Sequence, residues 1–489
     1  MSGASTESPA REQAPLLLPA WAVGAPAVLL LGFLALLGRA GVGVQVIGLP
    51  LGAYLAPLPS VLVVGLMATT RGRLLLRSFD RSQRRVAIAV AVAVAVGLLR
   101  AAVQGMPTLL RFQDMAYLLH LPWIVVGMAA MKTLEFDDER TRVLRWLAWT
   151  LVVVLVLHWA RGVIGPAEWL FEQLITSLEG LSDKPANVMK DGDRALYGIV
   201  LAALAVHLTG HSEHRGTMLV GIAGLLLGTH FVGFALGGSR GALLGLALGS
   251  VALMVQSSSR AARWTLATCA ALSFAVSSAA ELASVPTTAD PPPLGPGIEA
   301  SPPTETPQVD LPSLRERYET ATGRRSITAT IDQLQTAEGE FTRPSEVSWR
   351  IAIWRDVLHE WNSSWRNRLF GIGFGNEIEA MTIPGRQGYD GLNRSVHSIA
   401  FTVLVRQGLA GIASTSALLF IIILPRPRRR TVATPALFSA VTVGLFNVFF
   451  EGVQAPVVLW IIVGLMRAAP SAPELPPCAG SVPSSRVFR

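Results

Sequence analysis

"RRVAIAVAVAVAVGLLRAAV", Arg84 to Val103, decides the architecture. Two arginines lead into an apolar run that only Arg100 interrupts, and a helix of roughly 20 predominantly apolar residues crosses a bilayer core. Runs of this kind recur along the 489 residues, near 16–38, 42–69, 85–103, 115–132, 143–164, 194–210, 217–236, 240–256, 263–284, 396–424, 432–450 and 454–468. With 51% hydrophobic residues, 15% charged residues and a mean hydropathy of +0.46, the chain is an all-α polytopic membrane protein of about 12 transmembrane helices. Pro50, Pro57 and Pro59 interrupt the second run, which is expected to be kinked, re-entrant or two short pieces. The first run continues to about Leu37, too long for a cleavable signal, and stays as the first span.

Charge supplies the sidedness. The net charge of +8 does not point to nucleic acid, because the basic residues form short clusters between apolar runs. With the N-terminus inside, the cytoplasmic loops "RGRLLLRSFDRSQRR", "KTLEFDDERTRVLR", "HSEHRG", "SSSRAAR" and "PRPRRR" hold 17 Lys or Arg. The short external connections hold about 8, so both termini are expected in the cytoplasm.

Five regions follow. Residues 1–15 form a cytoplasmic tail, 16–284 carry helices one to nine, 285–395 form one large extracytoplasmic loop, 396–468 carry helices ten to twelve, and 469–489 form a second cytoplasmic tail. Within the loop, 285–313 is rich in Pro, Thr and Glu and reads as a tether, while 314–395 reads as the helical part. At about 100° per residue, "SWRIAIWRDVLHEWNSSWRN" (Ser348–Asn367) gathers Ile353, Trp354, Val357, Leu358 and Trp361 on one arc, as in a helix lying on the membrane surface or on the span ends. Arg350 falls in the middle of that arc. Cys269 and Cys478 are the only cysteines, which excludes a disulfide framework and a cysteine metal site.

Three residues carry the chemistry. His397, in "NRSVHSIAFTVLVRQGLAG", stands at the outer threshold of the tenth span. It is either an interfacial histidine with its ring tip among the headgroups or a general base able to take a proton from a hydroxyl. Arg240, in the short turn "GGSRGALLGLALG", either snorkels at a helix end or, with Ser239 and the glycines around it, meets a phosphate. Arg350, central on an apolar face, is either an accident of pattern or buried against a partner anion, and that anion can be a ligand.

Weaker features surround these. Asp191 and Asp193 form a D-x-D before the sixth span, which a divalent cation would suit, but no further carboxylate is nearby and no metal is expected. Glu451, at the outer end of the eleventh span, is placed to orient His397 or neutralise an arginine. Arg406, nine residues after His397, is expected to be paired internally. "GIGFGN", Gly371 to Asn376, lacks the strand before and helix after that a dinucleotide fingerprint needs, and reads as a turn closing the loop helix.

Taken in order, "GGSRGALLGL", "SWRIAIW", "LFGIGFGN" and "VHSIAFTVLVRQGLAG" around one large external loop resemble the O-antigen ligase and polymerase superfamily of bacterial envelope glycan enzymes, over about Val220–Leu418. The resemblance implies a helical GT-C-like glycosyltransferase of the cytoplasmic membrane, facing the periplasm or exterior. It would move a glycan from an undecaprenyl-pyrophosphate-linked donor to an acceptor hydroxyl without nucleotide, metal or cofactor. It implies His397 as base or acceptor-positioning group, with Arg240 and Arg350 on the pyrophosphate. Partners would be the lipid-linked donor, a glycan, lipid or protein acceptor, and membrane lipids, with no nucleic acid. Ligation, repeat-unit polymerisation and protein O-glycosylation share this donor chemistry. A lipid-linked glycan flippase is the alternative of another class, but it would place its polar groups near the bilayer midplane. Two departures from the family's pattern are His397-Ser398, where H-N is frequent, and Arg406-Gln407, where an acidic residue commonly stands.

Overall fold

A computed structural model describes residues 17–43, 45–46, 49–103, 114–163, 191–209, 240–256, 263–271, 354–355, 357–374, 396, 398–423, 433–445 and 454–468. These are helical apart from turns and a short antiparallel pairing of β1 (Gln45–Val46) with β2 (Leu49–Pro50). The helices are α1 (Ala20–Gly43), α2 (Leu51–Leu55), α3 (Leu58–Ala68), α4 (Thr70–Arg77), α5 (Arg81–Val103), α6 (Ala116–Leu119), α7 (Trp123–Lys132) and α8 (Asp137–Val163). They continue with α9 (Asp191–Thr209), α10 (Arg240–Gln256), α11 (Trp365–Phe370), α12 (Ile399–Ile423), α13 (Ala433–Leu445) and α14 (Gln454–Ala468). Residues 263–271 and 357–362 are helical as well.

Arg81–Val103, Asp137–His158 and Ile399–Ile423 are three helices long and apolar enough to cross a membrane, and α3 with α4 would make a fourth if that pair is one bent span. Shorter apolar helices stand at several other expected spans. The seventh expected span, 217–236, lies outside the described residues, as do most of the loop and both tails.

Two expected helices are broken. The region 42–69 becomes β1, β2, α2 and α3, and α3 meets α4 at 102°. The bend falls at Thr69, whose extended backbone ends α3 and whose hydroxyl caps α4 by accepting from the Gly72 amide at 3.0 Å. The region 115–132 is α6 and α7 with a turn at His120–Pro122, because Pro122 has no amide to continue the ladder.

Small residues set the helix crossings. In a bilayer, lipid tails compete for apolar faces, so close backbone approach and packing hold helices together. A Cβ at Gly464 would stand 2.2 Å from the Ile124 carbonyl oxygen, and one at Gly127 would stand 2.6 Å from that of Ile461, so α7 and α14 cross on paired glycines. Gly245 and Gly249 let α10 meet Ser439 and Val443 of α13, and Gly24 of α1 seats Trp146 of α8. Gly464→Leu is expected to force α7 from α14 at a cost of about 1–3 kcal/mol or more, read as a lowered thermal midpoint in detergent.

Arginines close several helix ends. Arg140 donates to the Leu134 and Met131 carbonyls after α7, and Arg84 donates through Nε to the Phe79 carbonyl after α4. Arg467 of α14 donates to the Ile421 and Ile422 carbonyls at 2.8 and 3.0 Å, while its own carbonyl accepts from Gln83 Nε2 at 3.3 Å. The end of α12, the end of α14 and the start of α5 therefore share one face of the bundle. It follows that α5 and α12, which pack together, run in opposite directions.

Candidate functional site at the threshold of α12

The described residues between 354 and 374 dock on the opposite end of α12. Trp354 donates from Nε1 to the Val396 carbonyl at 2.9 Å, and its ring stacks on Phe401 with centroids 4.8 Å apart. Val357, Val396 and Val405 form an apolar cluster of their own, with Trp354, Ile372 and Phe401 packed around it. This cluster joins the loop helix, the approach to α12 and its first two turns. Val396 and Ser398 are both buried, and the Ser398 carbonyl accepts from the Thr402 amide and hydroxyl, which starts α12. Trp354→Phe would keep the ring stack and remove the N–H. Its expected cost is about 1 kcal/mol, with faster amide exchange over 398–402 as the readout.

The amphipathic helix expected over Ser348–Asn367 is interrupted at Ser363-Ser364. Ser364 adopts extended backbone and accepts from the Asn367 amide at 3.1 Å, which starts α11. Serines favour caps over helix interiors, and that local preference outweighs the longer periodicity. Trp354 and Val357 pack inward as the periodicity expects, but Leu358 is 40% exposed.

"GIGF", Gly371 to Phe374, closes α11 as a turn. Gly371 is the C-cap with φ +67°, and its amide donates to the Asn367 carbonyl at 2.8 Å. The turn then plugs into a break in α12. Gly408 lies inside that helix with φ +64° and ψ −156°, which disrupts the helical ladder. The Val405 carbonyl accepts instead from the Ile372 amide at 2.7 Å. A Cβ on Gly371 would stand 2.5 Å from the Arg406 and Gln407 backbone, and one on Gly408 would stand 2.5 Å from that of Leu369. Only glycine meets both the positive φ and the close approach at these two positions.

The sequence-predicted residues fall unevenly on this frame. Arg240 is the first residue of α10. His397 lies between the described Val396 and Ser398 but is itself, like Arg350, Ser239 and Glu451, outside the described residues. Asp191 opens α9, and Asp193 is buried in its first turn. Among the described residues no group of three His, Cys, Asp or Glu side chains could hold a metal.

Arg406 is paired internally as expected. It is 1% exposed, and its Nη2 lies 3.1 Å from Oδ2 of Asp114, whose side chain is 7% exposed. Its Nη1 donates to the Gly373 carbonyl at 3.1 Å, and Gln407 donates from Nε2 to the Tyr117 hydroxyl. A basic residue thus fills the position where the resembled family commonly has an acid, with the opposite charge supplied from residue 114. Sequence reasoning missed Asp114, Tyr117 and Arg100, which donates from Nη2 to the Gly371 carbonyl at 2.6 Å. Asp114 was legible only as a carboxylate at the mouth of an apolar run.

A helical chain with apolar helices long enough to cross a membrane, one of them broken at Gly408 where the turn at Gly371 packs on it, defines the class. Residues 222–416 match the family model described as O-Antigen ligase, which supports the resemblance to the O-antigen ligase and polymerase superfamily of membrane glycan transferases. The matched stretch contains Arg240, Arg350 and His397. No curated protein matches the chain.

Proposed function

We propose that the protein transfers a glycan from an undecaprenyl-pyrophosphate-linked donor to an acceptor hydroxyl at the outer surface of the cytoplasmic membrane, in the manner of an O-antigen ligase. One observation carries this: the Trp354–Val396 hydrogen bond and the Trp354–Phe401 stack tie two distant stretches of chain together. Arg350 precedes Trp354 by four residues, and His397 follows Val396 directly, so these two contacts limit how far apart the guanidinium and the imidazole can lie. Arg240 begins α10, whose Gly245 meets Val443 near the end of α13. Taking α13, which packs against α12, as its antiparallel return in this topology brings Arg240 to the face where α12 begins.

In the reaction, the acceptor oxygen attacks the anomeric carbon of the donor's first sugar while His397 takes the hydroxyl proton. The bond from that carbon to the pyrophosphate oxygen breaks with its electron pair remaining on the lipid pyrophosphate. Arg240 and Arg350 stabilise that leaving group increasingly as charge builds on it. Outside the cytoplasm no nucleotide sugar is supplied, so the activated bond arrives on a lipid. Twelve spans, both termini in the cytoplasm and the loop 285–395 outside complete the proposed topology, and Arg81, Arg84 and Arg85 at the start of α5, Arg467 at the end of α14 and the sequence "PRPRRR" after α12 support reading their shared face as cytoplasmic.

The test uses purified full-length protein, a defined lipid-linked donor, and glycan, lipid and protein acceptors offered side by side, with products identified by mass spectrometry. A new glycosidic product with release of lipid pyrophosphate is expected, and the acceptor used separates ligase, polymerase and protein O-glycosylation. Transfer is expected to persist in strong chelator; its loss there would reopen the Asp191 and Asp193 site. Donor translocation across vesicles without product would favour a flippase.

A further inference from the structure

A second polar constellation lies deeper than the residues assigned to the reaction. Arg406 stands seven residues into α12, about 10 Å along the axis, too far to touch the reacting atoms beside His397. Around it, three backbone groups of the plug are held by three residues from two helices. Arg100 of α5 holds the Gly371 carbonyl, Val405 of α12 holds the Ile372 amide, and Arg406 holds the Gly373 carbonyl. Asp114, from the approach to α6, neutralises Arg406 at 3.1 Å, and the Tyr117 hydroxyl fixes the neighbouring Gln407.

We infer that Asp114 and Arg406, assisted by Arg100, are positioning residues for glycan transfer: they lock the returning end of the external loop into the break of α12, so that Trp354 presents the Arg350 segment to His397. The inference rests on the function proposed above. A buried ion pair is a poor device for stability alone, since removing two charges from water can cost more than their attraction returns and an apolar pair of similar volume is often as good. Direction is what the charged pair adds. A guanidinium held from one side by a carboxylate has its remaining N–H groups aimed, and here one meets the Gly373 carbonyl. An apolar pair could fill the same space without fixing the plug's register. The apolar cluster of Val357, Val396 and Val405 spans from the plug to the threshold, because Ile372 and Trp354 pack against the same three valines. A shift of the plug is thereby passed to the Trp354–Val396 contact.

The test compares wild type, Asp114→Asn, Arg406→Gln and the apolar pair Asp114→Leu with Arg406→Met, all as purified full-length protein. Donor-dependent kcat and KM are measured per folded molecule, together with amide exchange over 357–374. The single variants leave a charge buried without its partner and can fail to fold; the apolar pair removes both charges and keeps the question answerable. A positioning role predicts that the apolar pair folds yet loses about a hundredfold in kcat, the scale of a 1 Å misplacement. Donor KM should be little changed, and exchange over 357–374 should rise. Wild-type kcat and exchange in the apolar pair would overturn the inference while leaving the proposed function standing. A wild-type protein inactive with every lipid-linked donor would overturn both.

Discussion

His397→Ala is expected to lower turnover by about 10²- to 10⁴-fold while leaving binding of the lipid donor largely intact. The magnitude is that of a positioned general base, and the split follows from its task. An imidazole that accepts the acceptor's proton contributes as the new bond forms and adds little to holding the donor. The frame around residue 397 supports the assignment, because both neighbours in the chain are buried and the preceding carbonyl is held by Trp354. A histidine that only anchors the span among headgroups would not need that fixation. Near wild-type turnover in His397→Ala, measured in the purified transfer assay, would end the base assignment.

Arg350→Ala and Arg240→Ala are each expected to lower kcat by about 10²- to 10³-fold, and both should weaken donor engagement as well. Their joint effect on binding and turnover distinguishes them from His397. A guanidinium on pyrophosphate contacts the ground state and strengthens its hold as negative charge develops on the leaving oxygen. Lysine at either position should recover only part of the loss, since a point charge does not reproduce bidentate geometry. Donor titrations with each variant, followed by product formation and by lipid pyrophosphate release, check both halves of the expectation. A variant with unchanged donor KM and unchanged kcat would remove that arginine from the site.

Much of the helical frame was legible because apolar runs are long and their ends are marked by charge. Arg84-Arg85 and the run after them became α5, and the stretch beginning near His397 became α12. Breaks were harder to read. Pro57 and Pro59 announced trouble in the second run, but the 102° bend is set by Thr69, whose capping role depends on one local hydrogen bond. Ser363-Ser364 divided a helix whose hydrophobic periodicity was continuous. The seating of "GIGF" against "RQG" was out of reach, because it depends on two glycines at positive φ meeting each other's backbones across the gap between residues 371 and 408. Internal pairing of Arg406 followed from the cost of burying a charge. Its partner did not, since nothing in local sequence links residue 114 to residue 406. For the proposed reacting residues, order and spacing along the chain supplied the proposal, and the Trp354–Val396 bond joins the stretches of chain next to two of them.

An experimental structure of the full-length protein with a lipid-pyrophosphate-linked glycan bound is the most direct measurement. The expected result places the Arg240 and Arg350 guanidinium groups on pyrophosphate oxygens and His397 about 2.6–3.2 Å from the acceptor hydroxyl, all in one pocket at the face where α12 begins. A donor pyrophosphate held at the Arg467 face, or one that contacts neither arginine while His397 points away into lipid, would contradict the account.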